Sequence, residues 1–405
     1  MALYAFDGTW NEDDADVPDK ATNVVRLRDA YDGPVEYREG VGTRFGALGH
    51  VIGGLFGAGG RSRIEEMYDA AKANWARGDR VIDIIGFSRG AALALHFANI
   101  LGEKGLRLPD GRVEKPPIRF LGVWDIVGAF GLPLDFIINF QDINLGWTID
   151  RVPATVQKCA HGMALDERRE AFDVTHLRKA PSVEEVWFRG VHADVGGGNG
   201  NVTRNNISFH WMLQQARSAG LPLSPAFVEL IGADVDPLAS VSRNFDPMRD
   251  PRRTTKPEDM FHPSAVGRSL AVGETSAFPV RAADQYNWSG VRLQKGASYR
   301  IDVAPDQRWI DGGINCDADG WTTESLPWFK EAVVRHFEKE RRLPGANWFA
   351  LVAAVDDEDT HLFKIGNGGQ FTSPRDGDLY AFANDMKGRY GNNSGQIKAT
   401  VRRLS

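Results

Sequence analysis

Ser88, Asp125 and His192 are the residues of this chain whose types and order could together carry out acyl transfer. Ser88 sits in Gly86-Phe87-Ser88-Arg89-Gly90, a match to G-x-S-x-G. The β-branched run Val81–Ile85 before it reads as a buried strand, and Ala91–Leu101 after it as a helix. A strand–turn–helix elbow of this kind strains the backbone and lifts the serine hydroxyl clear of the sheet, and its flanking glycines admit neighbouring chains. The pentapeptide alone also fits a helix N-cap serine in a glycine-flanked turn, and the flanking elements favour the nucleophile. A serine nucleophile needs a base and a group that orients the base. Asp125 closes the apolar run Phe120-Leu121-Gly122-Val123-Trp124, at the strand edge where reactive side chains collect. A turn or cap aspartate is the alternative reading. His192 follows the run from Val186 to Val191 and opens the glycine-rich Ala193-Asp194-Val195-Gly196-Gly197-Gly198. His161 and His176 lie in or beside a stretch that reads as helical and charged, and His210 reads as a helix-face residue. Asp194 is a rival acid, but it would have to reach back two residues to its base.

Attack on an acyl carbon also needs donors for the developing oxyanion. The amide of Arg89, next after the serine, is one candidate. A second amide is expected from Gly8 or Thr9, in the Asp7-Gly8-Thr9-Trp10 turn after the run Ala2–Phe6. That segment also reads as a plain turn. The apolar stretch from Phe130 to Phe140 fits either core or a lid beside the site. Near the C-terminus, Asp385, Asn392 and Asn393 offer hard oxygen donors of the kind calcium takes, although the same residues suit a polar hairpin loop. Asn315-Cys316-Asp317-Ala318-Asp319-Gly320 begins like an EF-hand loop. Its twelfth position is Leu326, so the bidentate closure is missing and a surface turn is the better reading.

The elements that must position these residues change character along the chain. Up to about residue 235 strand and helix patterns alternate. Ala2–Phe6, Val35–Tyr37, Val81–Ile85, Ile118–Trp124 and Glu185–Val191 read as strands. Thr22–Tyr31, Arg61–Arg77, Ala91–Leu101 and Ser208–Ala219 read as helices. Such alternation argues for an α/β layer fold with a mostly parallel sheet. From Asp236 to Phe278 prolines and charges replace periodicity, as in a linker or loop excursion. From Pro279 short strand-like runs return between Gly, Asn and Asp turns, with one helix-like insert at Leu326–Arg341, the pattern of an antiparallel β-sandwich. The expected division is an α/β domain over residues 1–278 and a β-sandwich over 279–405.

Composition bounds the partners. The 405 residues are 42% hydrophobic and 25% charged, the usage of a globular protein. With 48 Lys and Arg against 54 Asp and Glu, no basic surplus exists to neutralise phosphates, and general nucleic-acid binding is not expected. The two cysteines, Cys159 and Cys316, form neither a disulfide framework nor a zinc pattern. The N-terminal residues have no basic start or apolar stretch of signal length, and Asp125 and Asp135 interrupt the most lipophilic region. The expectation is a chain made in the cytoplasm without a signal peptide, with export by another route open to it.

The N-terminal motifs resemble the type VI secretion lipase effectors of the first class and related α/β-hydrolases. The resemblance rests on Phe6-Asp7-Gly8-Thr9-Trp10-Asn11, Glu39-Gly40-Val41-Gly42-Thr43, Gly86-Phe87-Ser88-Arg89-Gly90-Ala91 and Gly122-Val123-Trp124-Asp125. It continues through His161-Gly162-Met163-Ala164-Leu165-Asp166-Glu167-Arg168-Arg169 and the stretch from Trp187 to Gly198. It implies an α/β-hydrolase fold, the α/β-hydrolase order Ser88, Asp125, His192, and a phospholipase A activity on lipid esters needing no cofactor. It also implies a secretion-apparatus carrier and action in a target cell's periplasm. The chain lacks the long additional regions of membrane-targeting members, so ester hydrolysis is the firmer expectation and phospholipid the narrower one. Lys364-Ile365-Gly366-Asn367-Gly368-Gly369 and the Asn384–Gly395 stretch resemble the PA-I-type galactophilic lectins, calcium-dependent β-sandwiches. That resemblance implies structural calcium on the side chains of Asp385, Asn392 and Asn393 and the carbonyl of Arg389. It adds a carbonyl from Asp311 or Gly312. The family's sugar contacts have no clear counterpart here, so a glycan partner is the weaker implication. The alternative for the whole chain is a calcium-dependent glycan-binding protein with a scaffold hydrolase domain.

Overall fold

A computed structural model of the chain describes residues 1–8, 18–39, 58–128, 148–169, 172–242 and 253–405. Two compact units are present, Met1–Ala265 and Val266–Ser405. A boundary after residue 278 would cut through a strand of the second unit, Thr275–Arg281, that hydrogen-bonds along its length to Gln396–Arg403.

The first unit is built on β1 (Ala2–Phe6), β2 (Val35–Arg38), β3 (Ile82–Phe87), β4 (Ile118–Trp124), β5 (Cys159–Ala164), β6 (Val183–Phe188) and β7 (Met260–Phe261). They form one sheet in the order β2-β1-β3-β4-β5-β6-β7, and every pairing is parallel. A parallel sheet covered on both faces needs strands apolar on both sides, and β1 shows how. Ala2, Tyr4 and Phe6 face a core with helices α2 (Ala58–Ala76) and α3 (Arg89–Glu103). Leu3 and Ala5 face the opposite core, with α1 (Asn23–Ala30), a short helix α4 (His192–Gly196), α5 (Val202–Ser218) and α6 (Pro225–Ala233). Thr22 caps α1, accepting a hydrogen bond from the Val25 amide at 3.2 Å. Strand order reverses between β1 and β3, so the carboxyl ends of these two strands border the crevice where α/β sheets hold their ligands.

Two strands depart from the sequence reading. The stretch around His161 is β5, a buried strand, not a helix. Small residues, Ala160, Gly162 and Ala164, hid its strand character. The proline-rich stretch after residue 235 supplies β7, the edge of the sheet.

The second unit has two four-stranded antiparallel sheets. One is ordered β8 (Thr275–Arg281), β18 (Gln396–Arg403), β10 (Ser298–Val303) and β15 (Gly368–Thr372). The other is ordered β9 (Asn287–Leu293), β16 (Gly377–Ala383), β13 (Leu351–Val355) and β14 (Leu362–Lys364). Alternation sets the faces: Tyr299, Ile301 and Val303 are buried while Arg300 and Asp302 point out. A smaller sheet joins β12 (Ile314–Cys316), β11 (Trp309–Asp311) and β17 (Asn393–Ser394), and α7 (Trp328–His336) fills the expected helical insert. No described helix is long and apolar enough to cross a membrane.

Candidate active site

Ser88 occupies a sharp elbow between β3 and α3, with φ 58° and ψ −126°. Both motif glycines are there for close approach. A Cβ on Gly86 would lie 2.8 Å from the Gly90 oxygen, and one on Gly90 would run into the carbonyls of Phe6 and Asp7. The Ser88 amide donates to the Trp124 carbonyl at 2.9 Å, tying the elbow to the end of β4. Ser88 makes no side-chain cap bond to α3, so its hydroxyl is not spent on ending the helix. The Arg89 amide opens α3 and has no acceptor within the helix.

Asp125 follows β4, with φ 42°, and has no exposed surface. Its amide donates to the Gly162 carbonyl at 2.8 Å. His192 Nδ1 lies 2.6 Å from Asp125 Oδ2. The carboxylate can only accept, so Nδ1 carries the proton and Nε2 is the nitrogen with a lone pair. The imidazole stacks on Phe87, the residue before Ser88, at 4.5 Å between centroids, and meets the edge of Phe172 at 4.9 Å. The structure thus joins His192 and Asp125 directly and sets Ser88 beside them through Phe87. The Ser88 hydroxyl has no hydrogen bond to a described residue, an open geometry common before substrate binds.

Several residues that sequence reasoning did not assign hold this pair. The Ala164 amide donates to Asp125 Oδ1 at 2.9 Å. Arg253 forks onto the same carboxylate, Nη1 to Oδ1 at 2.6 Å and Nη2 to Oδ2 at 3.1 Å. Burial pushes the Asp125 carboxyl up, but the Arg253 charge and the His192 hydrogen bond outweigh it and hold the group well below the ordinary carboxylate range. Buried Glu167 accepts the His192 amide at 3.1 Å while Arg169 forks onto both of its oxygens, at 2.8 Å and 2.9 Å. His161 accepts the Ile126 amide at Nε2, 3.2 Å, and its Nδ1 faces Glu185 at 2.8 Å. His161 is therefore a support beneath Asp125. Asp194, the rival acid, is occupied by the Val191 and Ser242 amides and by Asn199 and Asn201. Glu167 and His161 belong to a motif quoted above for its resemblance alone, whereas Arg253 sits in the charged stretch read as linker and carries no local signal.

Around the expected oxyanion loop, the Gly8 amide donates to its neighbour Asp7 at 2.7 Å, so in this conformation it is not free for a substrate oxygen. Thr9 lies outside the described residues, as do residues 40–57 and the apolar stretch from Phe130 to Phe140. Asp7 also accepts Thr22 Oγ1 at 2.8 Å and Tyr37 OH at 3.0 Å. Burial nevertheless pushes its carboxyl up to about 6. The Arg89 guanidinium is half-buried and has no hydrogen bond or ion pair with a described residue, and burial lowers it to about 10.

In the second unit the sheet register pairs Asp311 with Asn393. Asn393 Nδ2 donates to Asp385 Oδ2 at 3.0 Å, and Asn392 Nδ2 to Asp311 Oδ1 at 3.2 Å. Arg389 precedes the tight turn Tyr390–Asn392 on the same loop. Burial and the Asp385 charge push the Asp311 carboxyl up to about 6. The amide oxygen of Asn393 is buried without a hydrogen-bond partner among the described residues. Trp321 donates its indole N–H to Asp311 Oδ2 at 3.0 Å and stacks on Trp348 at 5.8 Å. Among the described residues no three His, Cys, Asp or Glu side chains gather for a metal, so a cation here would draw on amide and carbonyl oxygens as well. The EF-hand-like turn is closed on itself: Asp317 accepts the Asp319 amide, and Asp319 accepts both nitrogens of Asn367.

The family model described as "T6SS, Phospholipase effector Tle1-like, catalytic domain" matches residues 3–115 and 107–215, more than half of the chain. The chain belongs to this Tle1-like effector family. The six N-terminal motifs on which the resemblance to that family rests fall inside the matched span. No curated protein matches. Among solved structures, an uncharacterized protein from Pseudomonas aeruginosa is 24% identical over 60% of this chain, with a TM-score of 0.40; the match spans only 48% of that protein. A Tle1 effector solved bound to the VgrG spike of a type VI secretion system is 16% identical, over 96% of this chain and 70% of that one, with a TM-score of 0.34. The N-terminal domain of EclA, a PllA-like lectin, is 19% identical over 32% of this chain and 95% of that one, with a TM-score of 0.24.

Proposed function

We propose that the chain is a serine hydrolase of lipid esters, a phospholipase A with Ser88 as nucleophile, His192 as general base and Asp125 as the acid that orients it. The observation that carries this reading is the His192–Asp125 hydrogen bond beside the strained Ser88 elbow. In the first half-reaction Ser88 Oγ attacks the ester carbonyl carbon and its proton passes to His192 Nε2. The Arg89 amide receives the oxyanion. Collapse releases the alcohol, here a lysophospholipid, which takes the proton back from His192. Water, deprotonated by the same nitrogen, then attacks the acyl-serine, and His192 returns that proton to Ser88 Oγ as the fatty acid leaves. Asp125 stabilises the imidazolium in both halves. No cofactor enters these steps.

Arg89, half-buried and without a hydrogen bond or ion pair to a described residue, supports phospholipid over a neutral ester, because it carries positive charge on the residue next to the reacting serine and a lipid phosphate is anionic. Membership of a type VI effector family supports carriage by a secretion apparatus and action in a target cell's periplasm. For the second unit the proposal is a lectin-like targeting module holding structural calcium. Asp385, Asn392 and Asn393 would bind through side chains and Arg389 through its carbonyl, with Asp311 as a second carboxylate. The orphaned amide oxygen of Asn393 and the two carboxylates in each other's field fit a cation that supplies charge there and no chemistry.

The test is reaction of the full chain with an alkyl fluorophosphonate, which requires an activated serine, followed by product profiling on mixed bacterial phospholipids. The expected result is one phosphonate on Ser88 and release of fatty acid with lysophospholipid. Absence of both overturns the reading.

A further inference from the structure

We infer that Arg253 is a positioning residue for the hydrolytic site, which keeps the buried acid ionised and turned toward His192. The inference rests on the function proposed above and adds to the three residues assigned there a fourth, distant in sequence. Asp125 has no exposed surface, and its oxygens receive four hydrogen bonds: one from Ala164, one from His192 and two from Arg253. Without Arg253, half of these donors and the compensating positive charge would be gone. A carboxylate buried in that state takes up a proton. Once protonated, it can no longer hold the Nδ1–H tautomer of His192 or stabilise the imidazolium.

The guanidinium is itself held for this task. Its side chain is 5% exposed, and it also donates to the carbonyls of Ala164 and Phe172. Phe172 is the ring whose edge meets His192, so one side chain fixes the acid and the wall behind the base. Two titratable side chains face Asp125 directly, the charged Arg253 and the imidazole of His192. Beyond His192 stands the Glu167–Arg169 pair, and beneath Ile126 stand His161 and Glu185. Glu167 and Glu185 are each engaged by their own basic partners, which leaves Arg253 as the cation bonded to the acid.

The experiment measures the rate of Ser88 phosphonylation by an alkyl fluorophosphonate from pH 5 to pH 9. It compares the full unsubstituted chain with Arg253→Met and Arg253→Lys. Near pH 6, Arg253→Met should react at least about tenfold more slowly, the loss that raising the acid limb by one pH unit produces on that limb. The deficit should shrink as pH rises, because the acid limb of the profile moves up by about one unit or more. Arg253→Lys keeps the charge and should keep the limb near its original pH at a lower plateau. A folded Arg253→Met whose profile superimposes on the parent's, or falls by the same factor at every pH, overturns the inference. Should Arg253→Met lose its melting transition, Arg253→Gln, neutral and still hydrogen-bonding, is read by the same two criteria. Failure of the unsubstituted chain to react at any pH overturns the proposed function itself, a result distinct from either profile.

Discussion

A carboxylate without exposed surface stays charged only where donors meet its lone pairs. Two such groups flank the elbow, and their surroundings drive them in opposite directions. Asp125, forked by Arg253, is held as an anion, whereas the described hydrogen-bond donors to Asp7 are all neutral, and burial outweighs them and the Arg28 charge to push it up to about 6. Separation of this kind divides roles among acids in a site. For Asp7 the raised value means that the folded chain binds a proton more tightly than the unfolded one. Its ionisation therefore costs stability above pH 6, a cost relieved as pH falls toward the ordinary carboxylate value. The ceiling is on the order of 3 kcal/mol. Asp7→Asn removes that dependence, so its melting temperature relative to the parent should rise by several degrees between pH 5 and pH 8, as differential scanning fluorimetry would show. A difference that is flat or of opposite sign would refute the assignment. For the reaction, Ser88→Ala or His192→Ala should lower hydrolysis of a short soluble ester by several decades, with at best about 10³–10⁴-fold catalysis over water remaining. Near-normal turnover in folded Ser88→Ala would remove Ser88 from the mechanism. Ser88, Asp125 and His192 stand out in the sequence because each sits where a strand pattern stops. Their supports do not: Arg253 acts through space across a stretch with no periodicity.

At the scale of elements, what makes the elbow is how closely α3 approaches the end of β1. Helix-interior Gly→Ala changes normally gain about 1 kcal/mol. Gly90→Ala should do the reverse, because the added methyl group meets the carbonyls of Phe6 and Asp7. A loss of about 1–3 kcal/mol is expected from the forced shift, with loss of fluorophosphonate labelling, and chemical denaturation would measure it. The strands β1, β3 and β4 announce themselves in sequence through apolar runs, interrupted only by Asp83 in β3 and its ion-pair partner Arg119 in β4, as parallel strands buried on both faces require. β5 does not, since His161 is there to hold the Ile126 amide, and the small Gly162 and Ala164 meet Asp125 through a backbone carbonyl and a backbone amide. β7 is two residues long and follows prolines, below what any pattern can resolve. The short strands of the second unit were readable from their turns. β8 was not, because it begins inside the proline-rich stretch taken for a linker.

Across the whole molecule, the two units invite separate measurements. An ion bound only by the folded state stabilises by mass action, about 2.7 kcal/mol at a hundredfold its dissociation constant. Millimolar calcium should therefore raise the melting transition of the second unit in the full chain. Asp385→Ala should abolish that rise while leaving soluble-ester turnover unchanged. A transition indifferent to calcium and to chelator would leave Asn384–Gly395 as a polar loop. The hydrogen bond from Trp321 to Asp311 gives this question an optical form. The indole N–H shares its acceptor with the candidate cation site and its π face with Trp348. A divalent ion drawing on that carboxylate changes the field along the indole, so the emission of the pair becomes a built-in titration signal. Calcium added to the intact protein should shift or quench tryptophan fluorescence along a saturable curve. Trp321→Phe should lose that response and keep the calcium-dependent rise in melting temperature.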